Sequence, residues 1–280
     1  MPEKVIRCSS LPSWEDCERR GAATSFPELI REAGFDLRRR QAHVGALVGS
    51  GTHAGAAYTL QTKLDTGELG NASEAEDRAI SELRKRLETE GAVWDATTQN
   101  YPTAQQQVAR MVKTYRRTLA VEITPISVEE ELEVKLGGGF ILLGHTDALA
   151  REFRRLRDLK TGTTQRANGS QYGAYGLLLK TLGRQIDQIV EDYLERVPLD
   201  HAQPDPVSTL LPFVEPQQRA YEVIEGIRGS VAEFERRLRD DAARPPELAF
   251  RANPMSVLCS EKFCPAFNTS FCKAHKGAKE

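Results

Sequence analysis

The sequence predicts an α/β protein in which a mixed central sheet is flanked by helices. Residues 140–160 indicate a β-hairpin, because the apolar run FILL is followed after a polar turn by a second strand-like segment. Residues 122–136 alternate in polarity before three successive glycines, which indicates an antiparallel strand and a turn. Segments 72–120 and 217–241 instead carry apolar residues at helical spacing.

Composition favours an ordinary globular protein that acts away from membranes. The 280 residues are 40% hydrophobic and 28% charged, and no apolar run approaches the roughly 20 residues that a membrane helix needs. The N-terminal segment MPEKVIRCSS lacks the apolar stretch of a secretory signal, so we expect a cytoplasmic protein. A formal charge of −2 gives no overall attraction to nucleic acid, although arginine clusters could form local patches.

The N-terminal part is predicted to be mainly helical. Ser9 and Ser10 are suited to cap a helix over residues 11–20. The following segment, VGALVGSGTHAGAAYTLQTKL, has spaced glycines that allow close backbone approach, but it lacks the phosphate-loop pattern G-x-x-x-x-G-K-[ST]. Residues 72–120 then form two predicted helices, the first of which ends at Gly91.

The C-terminal half is predicted to contain two further helices and one more strand. A helix is expected over 168–182, and residues 185–195 favour a strand, although a helix fits nearly as well. Residues 198–216 are rich in proline and indicate a surface connection. Residues 217–241 form a strongly amphipathic predicted helix that packs on the sheet.

The polar residues of the hairpin indicate a cation site. Residues i and i+2 of a strand project from the same face, so Asp158 and Lys160 point towards one site. Asp147 ends the first strand and joins them if the two strands are adjacent. Two carboxylates beside one lysine suit a hard divalent cation and a water next to a phosphate.

The order of these motifs resembles a known family of nucleases. G-x-x-D ends at Asp147, D-x-K-T-G begins at Asp158, and Q-x-x-x-Y runs from Gln171 to Tyr175. This order and spacing resemble the PD-(D/E)XK nuclease superfamily, and within it the RecB, AddB and Cas4-like branch. The resemblance implies a restriction-endonuclease-like core, with Asp147, Asp158, Lys160, Gln171 and Tyr175 as catalytic residues.

The same resemblance implies a metal site for Mg²⁺ or Mn²⁺. Asp147, Asp158 and the backbone carbonyl of Leu159 would be its ligands, and His53, which ends a G-x-x-x-H motif, would complete it. The branch often has a glutamate four residues after this histidine. Here that position is Ala57, so a carboxylate is missing or comes from elsewhere. The alternative is a helix packed through small residues, with His53 only a polar neighbour.

Five cysteines lie near the two ends of the chain. In a cytosolic protein, clustered thiols favour metal binding over disulfides, and four thiolates could hold an iron–sulfur cluster or a structural zinc, or stay unligated. The iron–sulfur nucleases of the Cas4 and AddB type have one cysteine before the core and three after it. The resemblance therefore implies a [4Fe–4S] cluster on Cys17, Cys259, Cys264 and Cys272, with Cys8 as the rival of Cys17.

The resemblance also implies a domain organisation. Segments 1–48 and 242–280 would be joined by the cluster or metal, and segments 49–71 and 121–241 would form the nuclease core. Residues 72–120 would be a helical insertion, either an arch that guides single-stranded DNA or a simple packing subdomain.

The expected function is a metal-dependent DNA nuclease that hydrolyses phosphodiester bonds. An exonuclease acting on single-stranded DNA or free ends is expected, in recombination, repair or spacer processing, with recombination or CRISPR-adaptation proteins as partners and no membrane. The alternative is a non-catalytic iron–sulfur or zinc protein that binds DNA ends in such a complex.

Overall fold

The computed structural model describes residues 3–166, 168–212, 214–240 and 244–275. The strands are β1 Lys4–Arg7, β2 Ala42–His43, β3 Ala92–Val93, β4 Pro125–Gly137, β5 Phe140–Ala150, β6 Arg155–Gly162, β7 Gln188–Glu195 and β8 Val207–Leu211. The helices are α1 Leu11–Asp16, α2 Glu18–Ser25, α3 Pro27–Glu32, α4 Val44–Thr66, α5 Ala72–Glu90, α6 Tyr101–Arg117, α7 Leu119–Glu122, α8 Gly169–Thr181 and α9 Val214–Arg239. In these described segments, no helix combines the length and apolar character required to cross a bilayer.

The central sheet is mixed, which confirms the predicted fold class. Strands β4, β5 and β6 are successively antiparallel, β6 and β7 are parallel, and β8 closes the far edge antiparallel to β7. Because β4 runs along one edge of β5, β1 and β6 share the other edge: β1 pairs with residues 140–143, and β6 pairs with residues 148–150. The two strands therefore diverge around residues 144–147. We call this point the sheet fork.

Each face of the sheet buries its own hydrophobic core. Leu142 and Leu156 face the core formed with α8, α9 and the N-terminal helices. Ala148 and Leu159 face the core formed with α4 to α7. Segment 72–120 therefore packs against α4, where Leu83 of α5 is 1% exposed.

The C-terminal residues 244–275, which we call the terminal lobe, pack against the N-terminal segment. Their described part consists of turns and one short 3₁₀ helix, Pro246–Ala249. The rings of Phe250 and Phe271 lie 5.3 Å and 6.4 Å from the ring of Phe234 in α9. The Arg38 N–H donates to the carbonyl of Pro265 (2.8 Å), so the two chain ends lie together.

Several elements differ from the sequence predictions. The helix predicted over 11–20 is broken at Cys17, whose backbone is extended (φ −159°), and the Ser10 hydroxyl donates to the carbonyl of Arg7 (2.7 Å) instead of capping a helix. The segment 198–216 contains the unpredicted strand β8, whereas the strand favoured over residues 185–195 is confirmed by β7.

The predicted domain boundaries relate differently to the secondary structure: the boundary at 71/72 coincides with the start of α5, and the boundary at 120/121 falls inside α7. The boundary after residue 48 falls inside α4, and the boundary at 241/242 lies outside the described residues.

Candidate active site

The sheet fork places Asp147 between two neighbouring elements. Its Oδ2 accepts a hydrogen bond from the Leu159 N–H of β6 (2.7 Å), and its Oδ1 lies 3.1 Å from His53 Nδ1 of α4. The carboxylate thus pairs with a backbone amide where β6 has turned away from β5. Burial raises the pKa of Asp147, but the charge of His53 and its hydrogen bond outweigh burial and lower this pKa overall.

Asp158 and Lys160 face the same side of β6, as their spacing predicts. Lys160 Nζ lies 2.7 Å from Asp158 Oδ2, and the Asp158 carboxyl is almost completely buried. Burial raises the pKa of Asp158 to about 6, although the ammonium of Lys160 opposes this shift. Burial lowers the pKa of Lys160, but the charges of Asp158 and Asp147 raise it overall, so the amine stays protonated.

Helix α8 brings its polar residues against the same carboxylates. The Gln171 Nε2 donates to Asp158 Oδ1 at 3.5 Å and to the Tyr175 hydroxyl at 3.1 Å. The Tyr175 hydroxyl donates to the carbonyl of His145 (2.9 Å), which ties α8 to β5. Gln171 therefore positions the Asp158 carboxyl directly, and Tyr175 does so through Gln171.

A second buried carboxylate, Glu191, supports this network. Glu191 lies opposite Asp158 in the parallel β6–β7 ladder, and the Tyr172 hydroxyl lies within hydrogen-bond distance of both carboxyls. Gln165 Nε2 donates to Glu191 Oε1 at 2.7 Å. The sequence does not single out Glu191, because only the β6–β7 register places it beside Asp158.

His53 reaches the site because α4 packs very closely on β6. A Cβ on Gly49, one turn before His53, would lie 2.6 Å from Thr161 Oγ1. Burial lowers the pKa of His53, but the charge of Asp147 and the hydrogen bond between them raise it to about 9. Without a bound ion the ring therefore carries a proton at neutral pH, and it would have to lose that proton to become a metal ligand.

Glu129 of β4 is a site residue that sequence reasoning did not identify. The β4–β5 register pairs Val128 with Ala148 and Glu130 with Thr146, so Glu129 lies opposite Asp147. Burial and the charge of Asp147 raise the pKa of Glu129 to about 7. Two features of the sequence pointed to a missing carboxylate. Ala57 stands where the nuclease branch that this chain resembles often has a glutamate, and β4 contains the acidic run 129–131. Neither indicates which of the three faces the site.

The donor set fits a divalent cation. One ligand atom each of His53, Glu129 and Asp147 lies within 4.8 Å of the others. Carboxylate oxygens are the ligands that Mg²⁺ prefers, and Mn²⁺ also accepts imidazole. Asp158 lies beside Lys160. The N–H of the next residue, Leu159, donates a hydrogen bond to the Asp147 carboxylate.

A cleft of about 1620 Å³ connects this site to the terminal lobe. Its lining includes His53, Asp147 and Asp158 at one end, and Arg20 and Phe263 at the other. Further basic residues of the lining are Arg7, Arg40, Lys160, Arg166 and Arg196. The lining also holds acidic residues, and Arg20, Lys160 and Arg196 pair with acids. Arg7, Arg40 and Arg166 are therefore the basic residues of the cleft best placed to meet an anionic chain.

The cysteines occupy two different environments. Burial, and then the nearby charges of Cys17 and Cys272, raise the pKa of Cys264 to about 11. Cys259 lies in the same lobe, where its N–H donates to the carbonyl of Ser256 (2.9 Å). Cys8 is instead buried at the fork: a Cβ on Gly144 would lie 3.2 Å from its Sγ.

The fold and the site together describe a mixed-sheet α/β protein with carboxylates, a histidine and a lysine at a fork in the sheet. No family model matches the chain, and no curated protein matches its sequence. The fold is similar to the crystal structure of a proposed exonuclease from Eubacterium rectale, with a TM-score of 0.51 and 9% identity over 91% of this chain and 87% of that one.

Two further solved structures align more weakly. The structure of SSO0001 has a TM-score of 0.32 and 13% identity over 72% of this chain and 82% of its own length. LHK-Exo in complex with dAMP has a TM-score of 0.32 and 13% identity over 69% of this chain and 98% of its own length. At these TM-scores the two similarities carry no argument about this chain.

Proposed function

We propose that the protein is a metal-dependent DNA nuclease of the PD-(D/E)XK type. The observation that carries this proposal is the convergence of Asp147, Asp158, Lys160 and His53 at one end of a cleft. The shared fold with a proposed exonuclease supports it. A purely structural ion pair would not need a second carboxylate and an imidazole beside it.

The residues of the site divide the chemistry between them. A bound Mg²⁺ or Mn²⁺ supplies a Lewis acid and a water of lowered pKa. Asp147 and Asp158, with His53 and the carbonyl of Leu159, would hold it. Lys160 would position the attacking water or help to deprotonate it, and its charge would offset the charge that develops on the attacked phosphate.

Gln171 and Tyr175 hold these groups in place. Gln171 hydrogen-bonds to the Asp158 carboxyl, and Tyr175 fixes α8 to the backbone of β5. Such fixed polar groups need no rearrangement during the reaction, which is how an enzyme gains most from charge stabilisation.

The proposed substrate is DNA with a free or single-stranded end. An open cleft that runs from the site to the terminal lobe suits an extended strand, and its arginines suit phosphates. We therefore propose exonuclease activity, in recombination, repair or spacer processing with a partner protein that supplies the DNA end.

We also propose that Cys17, Cys259, Cys264 and Cys272 hold a [4Fe–4S] cluster. These four cysteines share the region where the chain ends meet, whereas Cys8 lies at the fork. The alternative is a structural zinc on the same four thiolates. Iron and sulfide analysis of the purified protein separates the two.

The nuclease proposal is tested by Asp158→Asn and Lys160→Ala. Each variant is incubated with end-labelled single- and double-stranded DNA with and without Mn²⁺, and DNA binding is measured in parallel. We expect cleavage to fall by roughly 10²–10³-fold or more, because each change removes a charge at the reacting phosphate, while binding persists.

The matched control is Asp187→Asn. Asp187 pairs with Arg154 on the surface, so this variant should cleave like the parent protein. Cleavage at parental rates by Asp158→Asn would contradict the proposal. DNA binding without cleavage by the parent protein under all metal conditions would instead favour a non-catalytic DNA-end-binding protein.

A further inference from the structure

We infer that Glu129 is an additional cation ligand, which forms with His53 and Asp147 a donor set for a divalent ion of the Mn²⁺ class. This inference rests on the proposed nuclease function and adds to it a ligand from β4. The starting observation is that ligand atoms from these three residues already lie within 4.8 Å of one another.

The three ligands come from three different elements and meet at the cleft. His53 is on α4, Glu129 on β4 and Asp147 on β5, and all three line the cleft. Their side chains are 30%, 35% and 20% exposed, so an ion in the cleft can reach each of them. Because the three residues come from separate elements, their donor atoms surround a common point and do not lie along one surface.

The charges of this set also favour a cation. Glu129 and Asp147 lie on adjacent antiparallel strands with carboxylate oxygens within 4.8 Å of one another, where like charges repel. A divalent ion removes this repulsion. Two carboxylates and an imidazole suit Mn²⁺, and waters fill the remaining positions.

The two oxygens of Asp147 face different groups. Oδ1 lies next to His53, on the side where Glu129 stands, and Oδ2 accepts from the N–H of Leu159, next to Asp158 in β6. Asp147 thus lies between two sets of donors. Glu129 therefore adds a carboxylate on the histidine side, where the chain has Ala57 in place of the glutamate often found in the resembling branch.

A simpler explanation is that Glu129 only pairs with His145. Their Nδ1 and Oε2 atoms lie 3.1 Å apart. His145 is half exposed, however, and exposed pairs contribute little to stability. The two explanations differ in what removal of His145 does to metal binding.

The test is direct Mn²⁺ binding without DNA, measured by calorimetry and by the EPR signal of free Mn²⁺. Glu129→Gln is compared with Glu131→Gln, an exposed acid of the same strand, and with His145→Ala. We expect Glu129→Gln to weaken Mn²⁺ binding by about 10–100-fold or more, since even groups that only support ligands have effects of this size. The two controls should bind like the parent protein.

The outcomes separate this inference from the nuclease proposal. Equal Mn²⁺ affinity of Glu129→Gln and the parent protein would overturn the inference and leave the nuclease proposal standing. Equal losses in Glu129→Gln and His145→Ala would also overturn it. If the parent protein binds no Mn²⁺ at all, the nuclease proposal fails. Circular dichroism checks folding, and Glu129→Asp, which keeps the charge but shortens its reach, should show an intermediate affinity if Glu129→Gln does not fold.

Discussion

The sheet fork and the terminal lobe arrange their reactive side chains in different ways. At the fork, strands and helices hold each functional group, and Asp147 and Asp158 are each bonded to a neighbouring element. In the lobe the cysteines lie in turns, and their backbone N–H groups bond only three or four residues back, as Cys264 does to Ser260. The functional groups of the fork are therefore held by strands and helices, whereas the cysteines of the lobe lie in turns that pack on α9 through Phe250 and Phe271.

The largest expected effect comes from removing the thiols. Cys264→Ser and Cys17→Ser should lose the iron, sulfide and visible absorbance of the purified protein, and the lobe should become sensitive to protease. Cys8→Ala should keep all three, because Cys8 lies at the fork. Iron analysis and limited proteolysis measure these effects. Loss of iron from Cys8→Ala but not from Cys17→Ser would show that Cys8, and not Cys17, is the fourth ligand. The contrast between fork and lobe would then be wrong.

A substitution in the packed core near the fork should have the next largest effect. A Cβ on Gly173 of α8 would lie 1.8 Å from the carbonyl oxygen of Pro216 in α9, and backbone cannot move aside cheaply. Gly173→Ala should therefore lower the free energy of unfolding by about 3 kcal/mol, measured by urea denaturation.

The matched control for this change is Gly226→Ala. Gly226 lies in α9 with nothing within 4 Å of its position for a Cβ, so the alanine should stabilise the protein by about 0.5–1 kcal/mol. If the free energy of unfolding falls in Gly173→Ala and rises in Gly226→Ala, the close α8–α9 packing at Gly173, and not the loss of a glycine as such, causes the destabilisation. Equal signs would contradict this.

The smallest effect concerns pH and the residue that links the two regions. His43 precedes α4 and accepts the Gly45 N–H (3.2 Å), and its ring lies 6.1 Å from that of Phe263 in the lobe. Burial, and then the charge of Lys262, lower the pKa of His43, so the folded protein holds it neutral.

Stability should therefore fall as the pH drops through about 6.5, because the unfolded chain then binds more protons at His43 than the folded protein does. His43→Asn keeps a capping side chain that does not titrate and should lose less stability between pH 8 and pH 5. Urea midpoints at each pH measure this. Identical pH dependence in both proteins would show that folding does not lower the pKa of His43.

The elements that the sequence predicted well depend on local pattern. The hairpin of β5 and β6 follows from apolar runs around a polar turn, and the ion pair of Asp158 and Lys160 follows from the two-residue period of a strand. The helices of segment 72–120 follow from helical spacing in the same way. Local periodicity was therefore enough for the fold class.

The features that the sequence did not predict depend on pairing between distant segments. Strand β1 has four residues and is defined by its parallel partner in β5, and β8 is defined by β7. Glu129 joins the site only through the β4–β5 register, and Glu191 only through the β6–β7 register. A shift of one residue would turn either carboxylate to the opposite face, and no local signal sets that register.

The hydrogen bond from Leu159 to Asp147 has an evolutionary consequence. The aspartate satisfies a backbone amide that the diverging strands would otherwise leave without an acceptor, and an unpaired buried amide costs about 1–3 kcal/mol. A related protein without the proposed nuclease activity would still be under pressure to keep an oxygen at this position. An aspartate or asparagine at this position in a relative would therefore not, by itself, show that the relative is catalytically active.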